Sequence, residues 1–163
     1  MLKISVKSLL LVSALSVAGL AAPALAATST VNVSLADAGA AAPLGTDLGI
    51  SMKGDHATAV MHVIPDKTEV PAGEVTFKVT NNSSDIVHEM LVVKVADANQ
   101  PLPYVDGESR VDEDAAGHLG EVSELDPGDS GSLTLSLDSG TYMLFCNIPG
   151  HYQAGMWTLV TVN

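Results

Sequence analysis

CNIPGHYQAGM, residues 146 to 156, contains a thiol, an imidazole and a thioether at equal intervals of four intervening residues. Its Cys146 is the only cysteine of the chain. A soft thiolate, imidazoles and a weak axial thioether are the ligands of trigonal copper sites that transfer single electrons. Pro149 and Gly150 favour a sharp turn within the segment, because proline restricts φ and glycine tolerates a tight reversal. The segment therefore predicts a copper ligand loop.

The second imidazole of such a site has to come from elsewhere in the chain. His88 lies far upstream, in the run DIVHEMLVV, on a different predicted strand. Together, VHEM at 87 to 90 and CNIPGHYQAGM at 146 to 156 make the chain resemble the cupredoxins, or small blue copper proteins. The resemblance extends over roughly residues 59 to 163, and the loop spacing is most similar to that of the rusticyanin, sulfocyanin and plastocyanin-like members.

The resemblance implies a ligand set. It assigns one type 1 copper ion to His88, Cys146, His151 and Met156. Cupredoxins often have an asparagine directly after the first ligand histidine, where it ties the ligand loops together. Glu89 occupies that position here, so this particular bond is not expected.

The rest of the chain has the pattern of short strands. Apolar and polar residues alternate from Val75 to Thr80 and from Leu133 to Asp138, which is typical of half-buried strands. Residues 86–95 and 141–146 are apolar on both faces, as in central strands, and residues 157–162 predict a closing strand. Frequent turn signals and the lack of a long helical period predict an all-β, antiparallel Greek-key β-sandwich.

Two segments do not fit this strand pattern. After a first strand at 31–35, residues 36–58 are rich in alanine and glycine and predict a flexible connection. Residues 97–126 form a long, acidic crossover with room for a short helix. The acidic residues favour a solvated loop over a dedicated docking surface, and both interpretations stay open.

The amino terminus predicts export. Lys3 and Lys7 precede an apolar stretch from Leu9 to Leu20, which is followed by small residues at the positions that a signal peptidase reads. We expect a signal peptide over residues 1–26, cleaved after Ala26, and a periplasmic protein. The apolar stretch is too short to predict a membrane anchor, and no other segment is apolar enough to span a bilayer.

We expect a single cupredoxin domain at 27–163, in which residues 27–58 provide the first strand and the flexible connection. Removal of a leader with two lysines and no acidic residue changes the formal net charge from -12 to -14. Such an acidic protein is not expected to bind nucleic acid, whose phosphates need basic contacts. We expect a monomer that attracts basic partner surfaces.

The ligand set favours electron transfer over catalysis. Four protein donors leave no open position for a substrate, and the ligand segments contain no acid, base or nucleophile pair, so no enzymatic activity is expected. The resemblance implies that the outer edge of His151 passes the electron to a redox partner, such as a cytochrome, that docks there. It also implies an apolar rim around this histidine, formed by Ile148, Pro149, Tyr152 and Ala154.

Further soft donors raise the question of a second copper site. Met52, His56, Met61 and His62 cluster in sequence and are of the types that bind copper(I). Packing and surface exposure are the favoured roles, because methionines commonly fill core gaps and isolated histidines are usually surface residues. Nothing in the sequence marks His118 as a ligand.

Two functions therefore compete. One is an exported one-electron carrier, and the other is a periplasmic copper-tolerance or copper-sequestering protein of the same fold. A copper enzyme is disfavoured, because the chain lacks a His-Cys-His run and has only one cysteine.

Overall fold

The computed structural model describes residues 27–39 and 59–163. Most of these residues belong to strands, and the alternation of apolar and polar side chains determines which face of each strand is buried. The elements are β1 Ala27–Asp37, β2 Met61–Pro65, β3 Glu69–Val70, β4 Gly73–Asn81, β5 His88–Val95, β6 Tyr104–Val105, β7 Arg110–Val111, α1 Glu113–Ala116, β8 His118–Leu125, β9 Ser130–Leu137, β10 Gly140–Phe145 and β11 Trp157–Val162.

Two sheets form a β-sandwich, as predicted. One has four strands in the order β2-β1-β4-β9, and the other has five in the order β3-β11-β10-β5-β8. Strands β6 and β7 form a small hairpin of their own. The predicted strands at 86–95, 141–146 and 157–162 correspond to β5, β10 and β11.

The sheets are mixed rather than purely antiparallel, which corrects one part of the prediction. Strand β1 pairs with β4 in parallel, and β3 pairs with β11 in parallel. Between β1 and β4 the chain passes through β2 and then through β3 in the other sheet. A crossover of this kind lets β4 run in the same direction as β1. The alternation of apolar and polar residues indicates which face of a strand is buried, but it does not indicate whether the strand runs parallel or antiparallel to its neighbour.

Strand β1 is longer than the predicted strand at 31–35. Its first residues, Ala27 to Thr30, pair with Gly73 to Thr76 through the backbone, although their side chains show no apolar alternation. Its last residue, Asp37, falls within the segment that was expected to be a flexible connection. Residues 40–58 of that connection and the predicted leader at 1–26 lie outside the described part of the chain.

The acidic crossover is more structured than a solvated loop. It contains the β6–β7 hairpin, the expected short helix and strand β8, which pairs with β5. The sequence did not predict β8, because its buried residues Val122 and Leu125 are three apart, and its pairing with β5 has two register shifts. The described residues include no helix that is long and apolar enough to cross a membrane.

Apolar side chains pack on both faces of the five-stranded sheet. Met90 and Leu144 belong to the main core between the two sheets. Their neighbours along the strands, Leu91 and Phe145, belong to a second cluster that also includes Val111 of the crossover. Strands β5 and β10 are therefore apolar on both sides because the crossover covers their outer face.

Candidate metal centre

Three of the four predicted ligands converge at one end of the sandwich. His88 begins β5, Cys146 follows β10, and His151 lies in the turn between β10 and β11. The Nδ1 atoms of the two histidines are 3.3 Å apart. The Sγ atom of Cys146 lies 3.3 Å from Nδ1 of His151 and 3.9 Å from Nδ1 of His88.

These separations fit a shared metal ion. Protein nitrogen and sulfur ligands lie about 2.0–2.3 Å from an ion such as zinc, so two of them on one ion are roughly 3–4 Å apart. His88 and Cys146 are completely buried, and His151 is 6% exposed. Two imidazoles and one thiolate in a water-excluded pocket form the donor set of a His₂Cys copper site.

The turn that carries His151 and Met156 is braced by its own backbone. The N–H of Cys146 donates to the carbonyl of Met156, and the N–H of Met156 donates to the carbonyl of His151. Both N···O distances are 3.0 Å. Met156 is completely buried in the same core cluster as Cys146. The loop therefore closes on itself, with its cysteine and methionine both directed into the core.

The sulfur of Cys146 lies in an environment that suits a metal-bound thiolate. Burial raises the pKa of the free thiol to about 12, while hydrogen bonds from the backbone N–H groups of Glu89 and Ile148 oppose this increase. The thiol keeps its proton in the absence of a metal, and a bound cation would replace that proton. The two N–H groups are already oriented towards the sulfur.

His88 and His151, the two predicted ligand histidines, are neutral in this environment. Burial, with a smaller contribution from the neighbouring His88, lowers the pKa of His151 to about 4. Burial also lowers the pKa of His88, against the opposing effect of Asp37. A neutral imidazole has a free nitrogen lone pair, which is the form that binds a metal.

Asn81 holds the segment that leads into His88. Its side-chain Nδ2 donates to the carbonyls of Ile86 and Leu125 over 2.8 and 2.9 Å. Its Oδ1 accepts a hydrogen bond from the N–H of Ser83 over 2.9 Å. Asn81 is completely buried at the end of β4, so it fixes the β4–β5 loop from within the core.

Asn147 ties the loop that contains Cys146 and His151 to the crossover. Its Oδ1 accepts from the N–H of Val111 over 2.7 Å, and its Nδ2 donates to the carbonyl of Val111 and to Oε1 of Glu113. Sequence reasoning did not identify this role, although Asn147 stands directly after Cys146. Glu89 itself is buried, which raises its pKa to about 7.

Asp37 is a further residue of the centre that the sequence did not identify. Its Oδ2 lies 2.8 Å from Nε2 of His88, and both side chains are buried. Burial tends to raise the pKa of Asp37, but hydrogen bonds from Ser83, His88 and Gly39 outweigh this effect and lower it. The side chain is thus a carboxylate at neutral pH. No local pattern links Asp37 to a histidine 51 residues away.

The predicted apolar rim around His151 is only partly right. Pro149 is exposed and Ile148 is half-buried. Tyr152 and Ala154 are only 1% and 2% exposed, so they are not available to a partner. Tyr152 points inward because its ring packs against Phe145 in the second apolar cluster.

A second copper site, which the sequence disfavoured, gains no support from the described members of its cluster. Met61 is buried in the core, whereas His62, the next residue of β2, is half-buried on the opposite face. Met52 and His56 lie outside the described residues.

A different group, Glu113, His118 and Glu121, places ligand-type atoms within 4.8 Å of one another. The two ring nitrogens of His118 face different carboxylates: Nδ1 lies 3.9 Å from Oε2 of Glu113, and Nε2 lies 3.9 Å from Oε2 of Glu121. All three residues are only partly buried, and partly exposed acidic groups of this kind are common without a metal ion.

Comparison with known proteins agrees with the geometry. Residues 50–163 match the family model of copper binding proteins of the plastocyanin/azurin family. No curated protein sequence matches.

The fold is similar to solved blue copper protein structures. Dithionite-reduced auracyanin from Roseiflexus castenholzii is 24% identical, over 85% of this chain and 98% of that one, with a TM-score of 0.50. Auracyanin B is 25% identical over 83% and 88% of the two chains, with a TM-score of 0.51. Reduced rusticyanin is 21% identical over 82% and 79%, also with a TM-score of 0.51.

The family match confirms three predictions from the sequence. They are a β-sandwich of the cupredoxin type, one type 1 copper ion as the cofactor, and a role in electron transfer rather than in catalysis. The cluster of His88, Cys146 and His151 agrees with that cofactor. The chain belongs to the plastocyanin/azurin family of copper binding proteins.

Proposed function

We propose that this protein is an exported carrier of single electrons, with His88, Cys146, His151 and Met156 as the ligands of its copper ion. The convergence of Cys146 Sγ with the Nδ1 atoms of two neutral histidines, within 3.9 Å, supports three of these four ligands most directly. Copper in such a site would supply a one-electron couple.

The way in which the site is held favours a carrier. Asn81 fixes the loop before His88, and Asn147 fixes the loop after Cys146, so the two ligand segments are braced independently. A braced site changes little between oxidation states and therefore has a small reorganisation energy. A protein that only stores copper has no need of this property.

The surface next to the ligand loop suits a basic partner. The N–H of Gly150 donates to the carbonyl of Ser109 over 2.8 Å, so the acidic crossover lies directly against the loop that carries His151. Exposed acidic side chains of the crossover can attract a partner, while exposed Pro149 and half-buried Ile148 offer a small apolar contact beside the ligand. The partner that this surface fits is a cytochrome or another redox protein with a basic face.

Pro149→Lys tests this docking model. The variant places a positive charge in the apolar contact, where it is poorly solvated in the complex and repels a basic partner. We expect electron exchange with a basic cytochrome to slow about tenfold, while the visible spectrum stays unchanged. The rate for the original protein should fall as salt is raised, because salt screens the attraction. Stopped-flow kinetics measure both effects.

The matched control for this test is Pro149→Gln, which removes the same proline without adding charge. Its rate should stay close to that of the original protein. Equal rates for both variants, together with no salt dependence, would contradict docking at this surface. Loss of copper resistance but not of respiration when the gene is deleted would favour the copper-sequestering alternative.

The proposal that the protein is exported is based on its amino terminus, which resembles a signal peptide. Lys3 and Lys7 precede an apolar segment that ends in a small-residue cleavage signal. We expect the mature protein to begin at Ala27, at the start of β1. Mass spectrometry of the protein recovered from the periplasm measures this directly, and a full-length chain retained in the cytoplasm would contradict export.

A further inference from the structure

Asp37 and His88 form a buried hydrogen bond that links the two sheets of the sandwich. Asp37 ends β1 in the four-stranded sheet, and His88 begins β5 in the five-stranded sheet. The carboxylate Oδ2 and the ring Nε2 are 2.8 Å apart. Their side chains are 2% and 0% exposed, so water does not compete for this bond.

The carboxylate is held in place from its other side. Oδ1 of Asp37 accepts a hydrogen bond from the N–H of Gly39 over 2.6 Å. The hydroxyl of Ser83 also binds this carboxylate, while its oxygen accepts from the N–H groups of Asp85 and Ile86. The direction in which Asp37 faces His88 is therefore set by the backbone at the end of β1 and by the β4–β5 loop.

The two ring nitrogens of His88 have opposite surroundings. Nδ1 faces Cys146 and His151, at 3.9 and 3.3 Å, whereas Nε2 faces Asp37. A neutral imidazole carries one proton, and a carboxylate acceptor holds that proton on the nitrogen it faces. The lone pair of Nδ1 is then directed towards the metal position.

A buried negative charge behind a ligand also affects the metal electrostatically. A carboxylate hydrogen-bonded to a ligand histidine makes the imidazole a more basic donor. A more basic donor and a nearby negative charge stabilise copper(II) more than copper(I), since the two differ by one unit of charge. The bond between Asp37 and His88 should therefore lower the reduction potential.

We infer that Asp37 is a positioning residue of the copper centre, which fixes the proton of His88 on Nε2 and biases the bound ion towards copper(II). This inference rests on the proposed copper ligation by His88. Asp37 is then a charged residue that helps to set the reduction potential of the copper ion, although its strand, β1, contributes no ligand.

The test compares Asp37→Asn with Asp37→Ala. The asparagine keeps the size of the side chain and an oxygen acceptor but removes the charge. We expect its ratio of copper(II) to copper(I) affinity to fall about tenfold, which is a rise in potential of about 59 mV for a one-electron couple. The alanine removes the acceptor as well, and we expect copper affinity to fall a further 10-fold or more. Voltammetry and competition titrations measure these changes.

Asp138→Asn is the control for a general charge effect. Asp138 is exposed in the turn between β9 and β10, and the start of β10 is about 20 Å along that strand from Cys146. Its loss changes the net charge by the same amount as Asp37→Asn. If the rise in reduction potential is specific to Asp37, it should be absent from Asp138→Asn. Thermal unfolding of the metal-free Asp37→Asn protein shows whether it is folded.

A second readout does not depend on copper. Nitrogen-15 NMR of the metal-free protein reports which ring nitrogen of His88 carries the proton. We expect the single proton on Nε2 in the original protein, and a mixture of the Nδ1 and Nε2 tautomers in Asp37→Ala. An unchanged His88 tautomer in Asp37→Ala would overturn the inference. A folded Asp37→Asn protein with an unchanged reduction potential would also overturn it. If the copper-loaded original protein lacks a visible charge-transfer band, the proposed copper site itself fails, whatever the tautomer.

Discussion

Cys146→Ser should abolish the intense visible absorption of the oxidised, copper-loaded protein. The band arises from charge transfer between the cysteine sulfur and copper(II), and a serine hydroxyl is neither soft nor ionised at neutral pH. Cys146 is completely buried and is the only cysteine of the chain, so no other thiolate can replace it. Visible absorption spectra of both proteins after addition of copper(II) measure the effect, and we expect loss of essentially the whole band.

The control for this substitution is Met156→Gln, which changes the proposed axial ligand and leaves the thiolate in place. A harder oxygen donor at this position favours copper(II), so this variant should keep a visible band and show a lower reduction potential. A colourless original protein would contradict the copper site. An unchanged potential in Met156→Gln would mean that Met156 is not a ligand.

Asn81→Ala should be the most destabilising of the polar substitutions considered. It leaves the carbonyls of Ile86 and Leu125 and the N–H of Ser83 without their partner. An unsatisfied buried polar group costs about 1–3 kcal/mol. We expect the free energy of unfolding of the metal-free protein to fall by about 3 kcal/mol, as measured by urea denaturation.

Asn82→Ala provides the matched control from the next position. Asn82 is exposed, and its side chain donates a single hydrogen bond to Oγ of Ser34 over 2.7 Å. Its loss should change the free energy of unfolding by less than about 1 kcal/mol. Copper affinity should fall in Asn81→Ala but not in Asn82→Ala, because only Asn81 holds the segment that leads into His88. Equal stability of the two variants would contradict this role.

The proposed ligands within the loop could be identified from the sequence because type 1 copper chemistry restricts both the residue types and the spacing within one loop. Cys146, His151 and Met156 lie in eleven consecutive residues, and a tight turn between two adjacent strands brings such residues together whatever the rest of the fold does. His88 was identifiable by its resemblance to a family motif. The structure places His88, Cys146 and His151 within hydrogen-bonding distances of one another.

The residues that support the proposed ligands could not be identified from the sequence. Asp37 reaches His88 over a separation of 51 residues, and Asn147 reaches Val111 over 36. A hydrogen bond between distant segments imposes no periodicity on either segment. Strand β8 was missed for a related reason, since its register shifts against β5 break the alternation that identifies a strand.

The sequence by itself determined the candidate loop ligands Cys146, His151 and Met156, the metal that such donors prefer, and the strand pattern of a sandwich, because these depend on residue type and on local spacing. The tertiary structure decided which acceptor faces His88, which residue braces the loop after Cys146, and which loop residues reach the surface. Tyr152 illustrates the difference: the family resemblance implied a place in the surface rim, but the residue is buried and its ring packs against Phe145. Contacts of this kind depend on how two sheets and a crossover pack together, and packing is a property of the whole chain.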